Sequence, residues 1–179
     1  MNSQIAIKST CKDDNGINYI DSSCFIDKEK YENLKTINLK LDSTVTRIII
    51  DLYETNDTEK MNYLSNLNPF NIIRIFTLLS KLYSTIGSRY LKVKLLEVFS
   101  KKINEKNWIK LLRKLDKKLS CEWYGLHGLV FNYFEREIVN NPEKLIEFKF
   151  IKETKKLNRD TESSLWKIIQ SRINSLQKQ

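Results

Sequence analysis

The spacing of apolar residues changes once along this 179-residue chain, and that change limits where a sheet can form. Ile5 and Ile7 flank Ala6, and Ile37, Leu39 and Leu41 alternate with polar residues, a period typical of half-buried strands. After residue 43 the apolar residues recur every three or four positions, which predicts helices along the rest of the chain. The sequence therefore predicts an α+β fold that is predominantly helical, with a small N-terminal sheet.

The first two strands are expected to form a hairpin. Residues 12–16 combine Asp, Asn and Gly, which tolerate the dihedral angles of a tight turn, and a second strand follows at residues 17–20. A short helix is expected over residues 26–34, with Tyr31 and Leu34 pointing inward.

Capping residues and helix breakers divide the helical part. Asp42 is expected to open one helix, Pro69 stands at the start of another, and Gly87 is expected to end that one. Asp160 and Thr161 are expected to cap the last helix. Between them, helices are predicted over residues 91–103, 108–119, 122–139, 142–148 and 151–157.

The formal net charge of +9 is concentrated in one segment. Residues 1–91 carry no net charge, residues 92–118 carry +7 and residues 119–179 carry +2. Between residues 106 and 118 the basic side chains step by three or four, on one helical face opposite Trp108 and a row of leucines. Such a face suits phosphates, an acidic protein surface or an anionic membrane, and a solvated outer face without a ligand is the alternative. The candidate binding residues are Lys92, Lys94, Lys101, Lys102, Lys106, Lys110, Arg113, Lys114, Lys117 and Lys118.

The composition argues against several kinds of chemistry. His127 is the single histidine, too few for a multi-histidine metal site, and four glycines leave no phosphate-binding loop. Cys121 lies six residues from His127, so the two fall on different helix faces, and a buried thiol and a surface imidazole are expected. Three widely spaced cysteines predict a reduced protein of the cytoplasm, with the nucleus as the alternative. We expect no enzymatic activity, no cofactor, no metal and no membrane span.

A G-x-x-G sequence from Gly125 to Gly128 has the form of a KH-domain loop. KH domains surround this loop with strands, whereas this segment is predicted to be helical. The two small residues are therefore expected to let neighbouring helices approach closely.

The order of strand, turn, strand, short helix, strand, helix and helix pairs resembles the BTB/POZ fold. Residues 107–145 resemble the BACK extension that often follows a BTB domain. The resemblance implies a BTB/POZ-like domain over residues 1–104 and a BACK-like helical extension over residues 105–179. The segments that carry the BTB part are residues 31–34 (YENL), 37–41 (INLKL), 48–55 (IIIDLYET) and 72–99.

This resemblance implies a non-enzymatic protein-interaction scaffold or adaptor that binds a protein partner, or itself, through the BTB-like part. BTB proteins that recruit a cullin carry a hydrophobic–any–Glu motif in a loop before the third strand. Only Lys35 and Thr36 separate Leu34 from the strand at Ile37, so that loop is missing, and the sequence has no kelch repeats. The alternative function is an RNA- or ribosome-associated factor whose basic face, within residues 92–118, contacts ribosomal RNA phosphates.

Overall fold

The computed structural model describes residues 3–55, 57, 59–117 and 124–177. The chain forms two compact units, Met1–Phe99 and Ser100–Gln179. Helices predominate, and the strands of the described part form one three-stranded sheet. The fold is therefore α+β and predominantly helical, as the sequence predicts.

The sheet of the first unit has the order β2-β1-β3. Strand β1 (Gln4–Ser9) pairs antiparallel with β2 (Ile17–Asp21) and parallel with β3 (Thr36–Leu39). Side chains alternate across β1, and Ile5 and Ile7 are both buried. The alternating apolar residues of the sequence thus lie on one face of the sheet, which contributes to the core of the first unit.

The turn between β1 and β2 is attached to the start of helix α2 (Ser43–Thr55). The Asp14 carboxylate accepts hydrogen bonds from the backbone N–H of Gly16 at 2.9 Å and of Ser43 at 2.6 Å, and from the Ser43 hydroxyl at 2.9 Å. These bonds lower the pKa of Asp14 to about 2. A Cβ atom at Gly16 would lie 2.3 Å from Ser43 Cβ, so this turn requires glycine for its close approach to α2.

Of the two residues predicted to point inward from helix α1 (Lys28–Leu34), one is buried. Tyr31 is buried and its ring lies 4.6 Å from that of Phe25, centroid to centroid. Leu34 is 55% exposed, so its predicted burial is wrong. The backbone leaves the helix directly after it, through Lys35 with φ of 54°, and no further turn of α1 covers the Leu34 side chain.

The helix expected to end at Gly87 ends earlier. Helix α3 (Pro69–Leu79) stops because the following residues turn to pair with an earlier segment, where Tyr83 N donates to the Cys24 carbonyl at 2.8 Å. Helix α4 (Ile86–Lys102) then begins, and Gly87 lies inside its first turn. The predicted break at Gly87 is therefore misplaced.

Reciprocal capping starts α4. The backbone N–H of Ser88 donates to the Thr85 hydroxyl at 3.0 Å, and the Thr85 N–H donates to the Ser88 hydroxyl at 2.8 Å. Such an exchange satisfies donors at a helix start that have no partner inside the helix. Short 3-10 helices also occur at Ser22–Cys24 and Lys60–Asn66.

The second unit is helical throughout its described part. Its core contains the predicted apolar face of α5, with Trp108, Leu111, Leu112 and Leu115 all buried. Leu126 and Phe134 of α6 and Leu165 of α9 are buried in the same unit. Its elements are α5 (Trp108–Leu115), α6 (Tyr124–Phe134), a π-helical segment (Glu135–Val139), α7 (Pro142–Glu147), α8 (Phe150–Thr154) and α9 (Arg159–Leu176).

Candidate functional site

The predicted basic residues do not share one helix. Helix α5 begins at Trp108 and ends at Leu115, so Lys106 lies in the turn before it and Lys117 in the turn after it. The prediction of one helical face from residue 106 is therefore wrong at these two positions. Lys110, Arg113 and Lys114 lie on α5; Lys92, Lys94, Lys101 and Lys102 lie on α4; Lys118 and Cys121 lie outside the described residues.

Two asparagines delay the start of α5. Asn107 Oδ1 accepts from the backbone N–H of Asn104 at 2.9 Å, and Asn107 Nδ2 donates to the Lys102 carbonyl at 2.8 Å. Side-chain bonds of this kind compete with helical hydrogen bonds, which is why Asn is typical of caps and turns. They place Lys106 in a turn that the spacing of lysines alone does not reveal.

Three lysines of α5 and its C-terminal turn lie on the solvent side of the second unit. Lys110 and Lys117 are exposed and Lys114 is half-buried. Across the described ranges, no carboxylate lies within ion-pair distance of any of these three ammonium groups. Within these ranges no ion pair neutralises their positive charge, and we call Lys110, Lys114 and Lys117 the α5 lysines.

Lys94 differs from the α5 lysines. Its ammonium lies 3.1 Å from Glu97 Oε2 and 5.9 Å from the centroid of the Tyr90 ring. The hydrogen bond to Glu97 raises the pKa of Lys94. An ion pair on the same helix already neutralises this lysine, so it is a weaker anion ligand than the sequence suggests.

Arg113 is directed into the second unit instead of toward solvent. Its Nη2 donates to the backbone carbonyl oxygen of Glu153 at 2.5 Å. Its Nε is buried and has no hydrogen-bond partner among the residues that the structure describes. The guanidinium therefore joins α5 to α8, and Arg113 does not belong to the basic surface predicted from the sequence.

Asp116 forms a second link that the sequence analysis missed. Its carboxylate accepts from Asn158 N at 2.9 Å and from Thr161 Oγ1 at 2.5 Å, which ties the end of α5 to the start of α9. Asn158 is also the N-cap of α9 and accepts from Thr161 N at 2.8 Å, so the predicted cap at Asp160 and Thr161 is wrong by two residues. An Asx cap followed by Thr is the signal that identifies this helix start.

His127 lies beside this network. Its Nε2 is 3.6 Å from Asp116 Oδ1, and its side chain is only 17% exposed. The prediction of a surface imidazole is wrong because α6 directs His127 toward the carboxylate that holds α9.

The G-x-x-G sequence lies within α6, a helix, as expected. A Cβ atom at Gly128 would meet no other atom within 4 Å. Close approach of a neighbouring helix therefore does not explain this glycine.

An aromatic pocket of the second unit was also missed. Phe150 and Trp166 have ring centroids 4.2 Å apart, and they line a pocket of about 620 Å³ together with Lys149, Lys152 and Lys155. Trp166 follows the buried Leu165 on α9 and lies outside the buried face of this helix. A tryptophan outside the buried face, followed by Lys167, is the sequence signal for this surface.

Within the described ranges, no group of three or more His, Cys, Asp or Glu side chains is placed to hold a metal ion. The helices found there include none that is long and apolar enough to cross a membrane. Comparison with protein-family models, curated proteins and solved structures finds no match to this chain.

Proposed function

We propose that this chain is a non-enzymatic adaptor of BTB–BACK type, which binds a partner protein in the cytoplasm through its first unit. The order of strand, turn, strand, short helix, strand and helices in the first unit supports the resemblance on which this proposal rests. The observation that carries the proposal is the distribution of apolar residues on α4.

Helix α4 is apolar on two opposite faces. Leu91, Leu95 and Phe99 are completely buried on one of them. On the other, Ile86 is 84% exposed, Val93 is 61% exposed and Tyr90 is 41% exposed. These three residues follow the i, i+4, i+7 spacing of a helix-docking surface, and we call them the α4 stripe.

Charge favours a different protein over a second copy of this chain as the occupant of the α4 stripe. The exposed side chain of Arg89 and the half-buried Lys92 lie on α4 near the stripe, whereas Lys94 is paired with Glu97, the one carboxylate of this helix. A two-fold self-contact would place this basic rim against its own copy. We therefore propose that the partner is an amphipathic helix with an apolar face bordered by carboxylates.

The test compares two charge-introducing variants of the full chain. Ile86→Glu with Val93→Glu alters the α4 stripe, and Ile26→Glu alters another exposed isoleucine elsewhere on the first unit. We expect wild type and Ile26→Glu to retain the same protein from native cells and the stripe variant to lose it. Retention by the stripe variant, or loss of its folding, would overturn the proposal, whereas a homodimer by light scattering would overturn the choice of a different protein as the partner.

A second candidate function, an RNA- or ribosome-associated factor, is favoured by the α5 lysines. Their ammonium groups have no ion-pair partner in the described part of the chain, and phosphate is the anion that such a cluster commonly neutralises. We expect Lys110→Glu, Lys114→Glu and Lys117→Glu together to abolish RNA binding without unfolding the chain. The control is Lys12→Glu with Lys40→Glu, which reverses two lysines at exposed positions of the first unit.

A further inference from the structure

The aromatic rings of Phe150 and Trp166 line one pocket of the second unit. Trp166 lies on α9 and is 48% exposed, whereas Phe150, at the start of α8, is only 8% exposed. The two rings are tilted by 45° and their centroids lie 4.2 Å apart. A large indole surface is therefore left in contact with solvent although a second ring fixes its position.

Phe150 is itself supported by a chain of aromatic rings. Its ring packs edge-on against Phe148 at 5.9 Å, and Phe148 packs against Phe134 at 5.5 Å and Trp108 at 5.6 Å. Trp108 and Phe134 belong to the buried core of this unit. Trp166 thus rests on a packed support, which reduces the ordering cost of binding a flat ligand against it.

Among the residues that the structure describes, three lysines and no carboxylate complete the lining. Lys149, Lys152 and Lys155 are exposed around the two rings. On α9, the Glu162 carboxylate, one turn before Trp166, accepts a hydrogen bond from Thr154 Oγ1 at 3.4 Å. A ligand that fits this lining combines a flat apolar ring with negative charge on several sides.

We propose that this pocket binds an unpaired base of single-stranded nucleic acid, with the base stacked on Trp166 and the flanking phosphates near Lys149, Lys152 and Lys155. Stacking on aromatic side chains combined with a positive groove is the usual means of binding single strands. An acidic peptide matches the lysines but makes no use of the indole face, and a membrane favours a ring that projects beyond its neighbours over one lining a pocket.

The inference rests on the second candidate function and adds a surface outside residues 92–118. Arg113 of α5 is bonded to the Glu153 carbonyl, and Glu153 stands between Lys152 and Lys155 on the chain. The helix that carries the α5 lysines is therefore in direct contact with the segment that lines the pocket. The α5 lysines, which would bind the nucleic-acid backbone, and Trp166, which would bind a base, therefore belong to the same unit of the protein.

The test measures binding of the full chain to a short fluorescent oligouridylate, to the corresponding single-stranded DNA and to a blunt-ended RNA duplex. We expect both single strands to bind more tightly than the duplex and to quench tryptophan fluorescence. Trp166→Ala is expected to weaken single-strand binding about 10-fold to 100-fold, whereas Trp166→Phe retains most of it. The control Ile146→Ala, at an exposed apolar residue of the same unit, is expected to bind like wild type.

Several results would overturn the proposal. The first is unchanged single-strand binding in a folded Trp166→Ala variant. The second is a preference for the duplex. The third is Trp166-dependent binding of polyglutamate, or of phosphatidylserine-containing vesicles, by a chain that does not bind oligouridylate. If Lys110→Glu, Lys114→Glu and Lys117→Glu abolish RNA binding and Trp166→Ala does not weaken it, the pocket proposal fails and the second candidate function stands. If wild type binds none of the nucleic acids, both fail.

Discussion

The guanidinium of Arg113 donates from Nη2 to the backbone carbonyl oxygen of Glu153, 2.5 Å away. Arg113 is the only arginine in the basic segment of residues 92–118, and this bond gives it a role in the fold. Lys114, the next residue, is not directed to the same partner. Neighbouring basic residues of α5 therefore have separable effects on stability and on binding.

Replacing Arg113 is expected to destabilise the second unit. Arg113→Gln removes a charge-assisted hydrogen bond to the half-buried Glu153, a loss of about 1 to 3 kcal/mol in the free energy of unfolding. Lys114→Gln, on the solvent side, should change it by less than about 0.5 kcal/mol. All three tryptophans follow residue 100, so their fluorescence in urea reports this unit. Equal effects of the two substitutions would contradict the assignment.

Asp116 and Thr161 are expected to be energetically coupled. Asp116→Ala leaves the Thr161 hydroxyl and the Asn158 N–H without their acceptor, and Thr161→Val removes one of those donors. A double-mutant cycle should give an interaction energy of about 0.5 to 3 kcal/mol, because both groups belong to one network. The measurement is urea unfolding followed by tryptophan fluorescence. Additive effects would mean that the bond between them contributes nothing to stability.

Periodicity predicted most of the fold because local packing decides it. The antiparallel hairpin and the buried face of α5 follow from residues close together in sequence. The early end of α3 was missed because it depends on Tyr83 pairing with Cys24, far back in the chain. Gly87 looked like a helix breaker because the competing cap at Thr85 and Ser88 gives only a weak sequence signal.

The candidate site was predicted less completely, for a related reason. Lys110, Lys114 and Lys117 face solvent because their spacing opposes the leucines of α5, which the sequence shows directly. Arg113 has the same spacing, but its acceptor lies 40 residues further along the chain. The sequence does not predict the role of Trp166, because the pocket also requires the ring of Phe150, which the sequence alone does not place beside it.

Acid is expected to weaken the first unit through Asp14. The pKa of its carboxyl is lowered from 3.8 to about 2 by hydrogen bonds from Gly16 and Ser43. A lowered folded-state pKa means that the ionised group stabilises the fold above pH 3.8, and this contribution is lost as the pH falls toward 2. Asp14→Asn should therefore be less stable than wild type at neutral pH, with the difference shrinking as the pH falls toward 2.

The matched control is Asp13→Asn, which alters the adjacent carboxylate in the same turn. Urea unfolding followed by circular dichroism at several pH values gives the difference between each variant and wild type. A constant difference for Asp14→Asn across this pH range would show that its carboxylate does not stabilise the turn.

Salt dependence should distinguish the contribution of the α5 lysines from that of the Trp166 ring. Each phosphate neutralised on a single strand contributes about 0.7 to the slope of log affinity against log salt concentration. Replacing Lys110, Lys114 and Lys117 by Gln should therefore lower that slope by about 2 for oligouridylate. Trp166→Ala removes stacking and no charge, so it should lower the affinity at every salt concentration and leave the slope unchanged. A slope that falls with Trp166→Ala would mean that Trp166 does not act by stacking alone, and a slope unchanged by the three Lys→Gln replacements would mean that the α5 lysines do not contact phosphate.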